Sequence, residues 1–95
     1  MPYKEKEIKK VYFRINEVAT ELGEEESVIR YWSEILFKSR PLPRSPRGIR
    51  VYKNYHIDKL AIFRYLIRGP EQHTANGALN ALNKYKIING TVKRV

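Results

Sequence analysis

Ninety-five residues give room for one small domain, which buries only about 60 to 65% of the surface its unfolded chain exposes; that leaves little wall for a deep catalytic cleft. The absence of cysteine excludes disulfides, thiolate chemistry and cysteine-based zinc sites, and two isolated histidines are too few for a metal cage. Nineteen Lys and Arg against ten Asp and Glu leave a formal charge of +9, so the expected partner is a polyanion, with nucleic acid first.

The opening MPYKEKEIKK carries charges where a signal peptide needs an apolar stretch, and no apolar run approaches the roughly 18 residues that span a bilayer. A soluble, cytoplasmic protein without a membrane partner is expected. Residues 1–10 read as a flexible lead-in, in which Tyr3, Lys4, Lys6, Lys9 and Lys10 are interleaved with Glu5 and Glu7. That mixed sign suits a solvated segment better than a DNA-binding arm.

VYFRINEVATELG begins with a β-favouring run, Val11, Tyr12 and Phe13. It then changes period, because Ile15, Val18, Ala19 and Leu22 recur at helical spacing. A short strand followed by an amphipathic helix is expected, stopped by Gly23. Glu24, Glu25 and Glu26 stand where a second helix would begin, a place its dipole favours for acids. In that helix Val28, Ile29, Trp32, Ile35 and Leu36 form the apolar stripe, and Ser27, Arg30, Tyr31 and Glu34 fall on the other side. Two short helices about a glycine turn read as a helix-turn-helix.

KSRPLPRSPRGIRVYK follows, with Lys38, Arg40, Arg44, Arg47, Arg50 and Lys53 and no acid. Pro41, Pro43 and Pro46 prevent a helix there, and SPRG at 45–48 has the proline and glycine of a type I turn. The expectation is a hairpin with a proline-bearing edge strand and a basic outer face, a wing. Asn54 is placed to cap a third helix, NYHIDKLAIFRYLIR, whose apolar residues cover more than one side and wedge it into the core. His56 in its first turn is expected at the surface. Gly69 and Pro70 end it, and Thr74 can cap a fourth helix with Ala75, Ala78, Leu79 and Leu82 in register. For residues 83–95 two readings stay open: a second hairpin about Asn89-Gly90, or an end without fixed structure.

In order and spacing, RINEVATELG, SVIRYW, GIRVY, DKLAIFRYLIRG and TANGALNAL resemble the N-terminal DNA-binding domain of MerR-family transcriptional regulators, from about Tyr12 to Leu82. The resemblance implies a mainly α fold with a small β-hairpin wing, a single winged helix-turn-helix domain over 11–82. Its second helix would enter the major groove of double-stranded DNA, with the wing along the flanking backbone. It also implies phosphate contacts from Arg30 and Arg50, a DNA contact from Tyr31, and an approach of Ser27 and Val28 to base edges or backbone. Arg44 and Arg47 join the set from the wing. Tyr52 is expected to close the wing onto the core with its hydroxyl at the DNA edge. Trp32 belongs to the apolar stripe and is expected in the core.

Such proteins act as dimers on palindromic promoter sites and alter their twist or bend, so a second copy and RNA polymerase at a promoter are the further partners that the resemblance admits. Three departures are visible: the run Glu24 to Glu26, Ser33 in place of the glutamate that commonly follows the aromatic pair, and an end at Val95 where members usually continue into a long dimerising helix. No catalytic constellation, cofactor motif or metal-ligand spacing is present in the sequence. Two rival readings accompany the regulator: an architectural or excisionase-like DNA-binding protein of a mobile element, and a winged-helix module that holds an acidic protein partner.

Overall fold

The computed structural model describes residues 12–95. Helix α1 spans Ile15–Leu22, α2 Glu26–Leu36, α3 Asn54–Arg68 and α4 Ala75–Ala81; a 3-10 turn at Leu82–Lys84 leads into β1 Tyr85–Ile88 and β2 Thr91–Arg94. The lead-in expected over residues 1–10, and Val11 of the expected first strand, lie outside the described residues. Of that strand the structure retains one antiparallel bridge, Phe13 to Tyr52, with both backbone N–H groups donating across it at 2.8 Å. This bridge ties the start of α1 to the base of the wing.

Helix α1 begins where the Glu17 carboxylate accepts the Arg14 N–H at 2.8 Å, satisfying a donor that the helix cannot. It ends at Gly23, whose φ of 70° is the left-handed conformation expected there; the Glu24 N–H then reaches back to the Ala19 carbonyl at 3.0 Å. The turn between α1 and α2 is therefore closed by the backbone itself.

The core forms where α1, α2 and α3 meet around Val18, Ile29, Trp32, Leu60, Phe63 and Leu66. Trp32 is 4% exposed and meets Phe63 edge to face, with centroids 5.7 Å apart, as the apolar stripe predicts. Helix α3 buries Leu60, Ile62, Phe63 and Leu66 and is the central strut of the domain. The start of this helix differs from the sequence expectation. Lys53, not Asn54, is the cap residue, and the imidazole Nδ1 of His56 accepts the Lys53 N–H at 2.9 Å. His56 is 2% exposed rather than at the surface, packed edge to face on Phe37 and beside Tyr55. A helix-end donor needed an acceptor, and the ring sits at the position from which a side chain can fold back.

Thr74 caps α4 as expected, its hydroxyl accepting the Gly77 N–H at 3.1 Å. The tail takes the first of its two readings. β1 and β2 pair antiparallel about Asn89 and Gly90, whose φ values of 51° and 79° are both positive, the mark of a type I′ turn. Tyr85, Ile87 and Val92 lie against the core, so the hairpin is packed on the helical body. No helix among the described residues is long and apolar enough to cross a membrane.

Candidate nucleic-acid interface

Helix α2 divides its residues by period. Ile29, Trp32 and Ser33 are buried, whereas Glu26, Ser27, Arg30, Tyr31 and Glu34 are exposed along the opposite side. Tyr31 is 58% exposed, a large aromatic in open solvent beside an exposed arginine. Val28 stands at the edge of this face, half-buried and packed against the core, so its contribution to an outward surface is limited to its rim.

The wing is smaller than a full two-stranded sheet. Arg44 and Arg50 form one antiparallel bridge; beyond it Ser45 N–H donates to the Ile49 carbonyl at 2.8 Å and Val51 N–H to the Pro43 carbonyl at 3.0 Å. Gly48 N–H closes the SPRG turn onto the Ser45 carbonyl, and Gly48 holds a φ of 82°. A type I turn followed by a left-handed glycine is a common three-residue hairpin loop. Cross-strand partners share a face, so Arg44 and Arg50 stand side by side while Arg47 is exposed at the turn. Arg44 also steadies the turn, donating from Nη1 to the Gly48 carbonyl at 2.8 Å.

Tyr52 corrects an expectation. It is 1% exposed, and its hydroxyl lies 2.9 Å from the Ser33 hydroxyl inside the core, not at the DNA edge. Ser33 has a single hydroxyl proton and directs it to the Ile29 carbonyl at 2.6 Å, so Tyr52 is the donor between the two hydroxyls. Ser33, 2% exposed, thereby becomes the anchor that joins the wing's base to the middle of α2. Val51 beside Tyr52 is buried as well, so side chains at the root of the wing do not alternate between core and solvent. Tyr52 joins the main core cluster, while Val51 borders a shallow depression with Phe13 and Ser45.

Between α2, the linker, the wing and α4 lies an open groove lined by Tyr31, Ile35, Lys38, Arg44, Arg50 and Leu79, among others. Three cations and one exposed aromatic from separate elements thus border a single depression. Glu34 also borders it and approaches the Arg50 guanidinium at 3.8 Å, a loose contact between groups that are both substantially exposed. An exposed pair of this kind is easily exchanged for another anion.

The three glutamates before α2 separate. Glu25 and Glu26 are exposed, but the Glu24 side chain is only 7% exposed and accepts from Arg64 Nε at 2.9 Å and Arg68 Nε at 2.5 Å. Hydrogen bonding from Arg68 is the chief cause that holds the Glu24 carboxyl below its usual range; burial opposes it, and Arg64 adds to the lowering. The Arg68 guanidinium also stacks over Trp32 at 5.6 Å. Sequence reasoning missed this cluster, because a pairing across 40 and 44 residues leaves no local period or spacing to read. It removes one of the three acids from the outward surface and fastens the helix-turn-helix corner to α3.

Among the described residues no group of three or more His, Cys, Asp or Glu is arranged to hold a metal ion. Comparison with curated proteins and with solved structures finds no match. The family described as MerR HTH family regulatory protein does match, over residues 13–69, the span that contains α1, α2, the wing and α3. The resemblance carried by SVIRYW and GIRVY is thus a membership: the chain belongs to the MerR helix-turn-helix family of DNA-binding transcriptional regulators.

Proposed function

We propose that this protein is a sequence-specific regulator that lays α2 in the major groove of double-stranded DNA and the wing along the adjacent backbone. The observation that supports this most is the shared groove: Tyr31 from α2 meets Arg44 and Arg50 from the wing across one depression, beside the exposed Arg30. Phosphate contacts from arginines and an aromatic hydroxyl fix orientation and register, and base edges supply the specificity. In this reading Arg30, Arg44, Arg47 and Arg50 hold phosphates, and Tyr31 adds a contact beside them. Ser27 approaches base edges, with Val28 at its side. Tyr52 supports the wing from within. Residues 11–82 form the DNA-binding unit.

The acids refine the reading. Glu26 lies one turn before Arg30 on the free side of α2, and a carboxylate in the major groove accepts from the N4 amino group of cytosine. With Glu24 committed to Arg64 and Arg68, the carboxylate burden at the helix start is two groups, not three. Glu34 yields Arg50 to a phosphate when DNA arrives.

The test is binding of labelled duplexes of random sequence by fluorescence anisotropy over a salt series, with the retained DNA sequenced. Enrichment of a common site is expected, and two half-sites about 34–36 Å apart would report a pair of protomers. Arg30→Ala and Arg50→Ala should each weaken binding to all sequences and each flatten the salt dependence by about 0.9 in the log–log slope. Wild-type affinity in both variants would overturn the assignment.

A further inference from the structure

The terminal hairpin breaks a rule of strand pairing. Its register sets Lys86 directly opposite Lys93 on the face turned away from the body, while Tyr85, Ile87 and Val92 lie against the core on the other. Like charges directly across an antiparallel pair destabilise it. Exposed Lys84 precedes the two, whereas exposed Arg94 pairs with Tyr85 on the opposite face; residues 83–95 contain no Asp or Glu to offset these cations. None of the four has a carboxylate partner among the described residues. A two-stranded ribbon is only marginally stable by itself, so confronting its lysines is a cost with no return inside the domain. Local rules of this kind are broken chiefly at functional sites.

We infer that the outer face of this hairpin is a second phosphate-binding surface, which grips the backbone of nucleic acid separately from α2 and the wing. Charge complementarity selects the occupant. A polyanion inserted over Lys86 and Lys93 relieves their mutual repulsion and releases its own counterions, whereas a second copy of the same face would bring four lysines together. The contact is one of charge: lysines are point charges on flexible stems and carry no bidentate base recognition, so this surface adds affinity and footprint without altering sequence preference. The anchoring of Tyr85 beside Tyr65, with centroids 6.1 Å apart, keeps the ribbon attached to α3 while its outer side remains free.

The inference rests on the DNA-binding reading above, yet the two fail separately. The full chain, its Lys86→Gln/Lys93→Gln double variant and Arg30→Ala are compared by anisotropy on one labelled duplex across a salt series, with thermal unfolding of each. Loss of two phosphate contacts flattens the log–log slope of the double variant by about 1.8, and its selected DNA sequence stays that of the parent. Its melting temperature holds or rises, because the opposed charges are gone. A single Lys86→Glu change sharpens the contrast: it places opposite charges across the ribbon, so it melts later and binds DNA more weakly. An unchanged slope in the double variant, with Arg30→Ala still weakened, overturns the hairpin surface and leaves the α2 interface standing. The reverse pattern overturns the α2 interface alone.

Discussion

The protein carries two basic hairpins that are held in opposite ways. The wing has one bridging pair and two flanking backbone bonds, but its root is sunk in the core through Leu42, Val51 and Tyr52. The terminal hairpin has four paired positions and a well-matched turn, but its inward residues Tyr85, Ile87 and Val92 are only half-buried. One is fixed by what lies beneath it, the other mainly by its own ladder and turn. The lesson is that a surface element with few hydrogen bonds can still be held in place when its base is buried, and the DNA contacts proposed for Arg44 and Arg50 would need that of the wing.

Breaking the wing's root should have the largest effect. Tyr52→Ala removes a fully buried ring and should cost about 3–5 kcal/mol, enough to unfold many small domains; chemical denaturation followed by Trp32 fluorescence would read it. If the variant stays folded and loses only DNA binding, the root is not part of the core. Ser33→Ala is gentler. It leaves the Tyr52 hydroxyl buried without its acceptor, at about 1–3 kcal/mol in the same measurement.

The terminal hairpin should respond to its turn instead. Gly90→Ala forces a side chain to hold a φ of 79°, at about 1–2 kcal/mol, and hydrogen exchange should show the loss confined to residues 85–94 while α1, α2 and α3 keep their protection. Spread of the loss through the helices would erase the distinction between the two hairpins.

Acid distinguishes them further, because His56 sits just beyond the wing's root. Its folded-state pKa lies below 6.5, chiefly because burial disfavours the imidazolium, with Lys53 and Lys59 adding repulsion. The neutral ring is also the one that accepts the Lys53 N–H. The unfolded chain therefore takes up a proton first as pH falls: this contribution to stability is complete above about 6.5 and is lost as pH drops toward the folded-state value. Urea midpoints on either side of pH 6.5 should fall with acid in the parent and flatten in His56→Gln, whose amide oxygen can still accept at the cap. An equal slope in both would assign the effect elsewhere. The smallest change is Glu34→Gln, within about 0.5 kcal/mol in stability because its pair with Arg50 is exposed; DNA affinity should rise slightly as Arg50 is freed.

Much of this molecule is legible one residue at a time. The period of α2 separates Trp32 from Arg30 and Tyr31; Gly23 marks the helix-turn-helix corner; SPRG marks the wing turn, and the structure places them accordingly, while of the two readings open for the tail it takes the turn at Asn89-Gly90. These signals are local because they arise from steric limits on φ and from helical or strand geometry, which a few neighbouring residues express in full. What remained illegible depends on partners distant in the chain. Asn54 is a better cap by type than Lys53, yet the helix start is set by a ring that the core draws inward onto Phe37. Glu24 resembles its two neighbours in sequence, and only the approach of α3 gives it Arg64 and Arg68.

The site divides in the same way. Composition favoured a polyanionic partner, and motif order carried the family resemblance, because charge and spacing survive in a linear string. Tertiary structure alone decided that Tyr52 serves the core, that Ser33 is its acceptor, and that Arg44, Arg50 and Tyr31 border one groove. Burial and hydrogen-bond partners are properties of the packed chain: a hydroxyl reads the same in sequence whether it meets a phosphate or a serine, and only folding removes one of those choices.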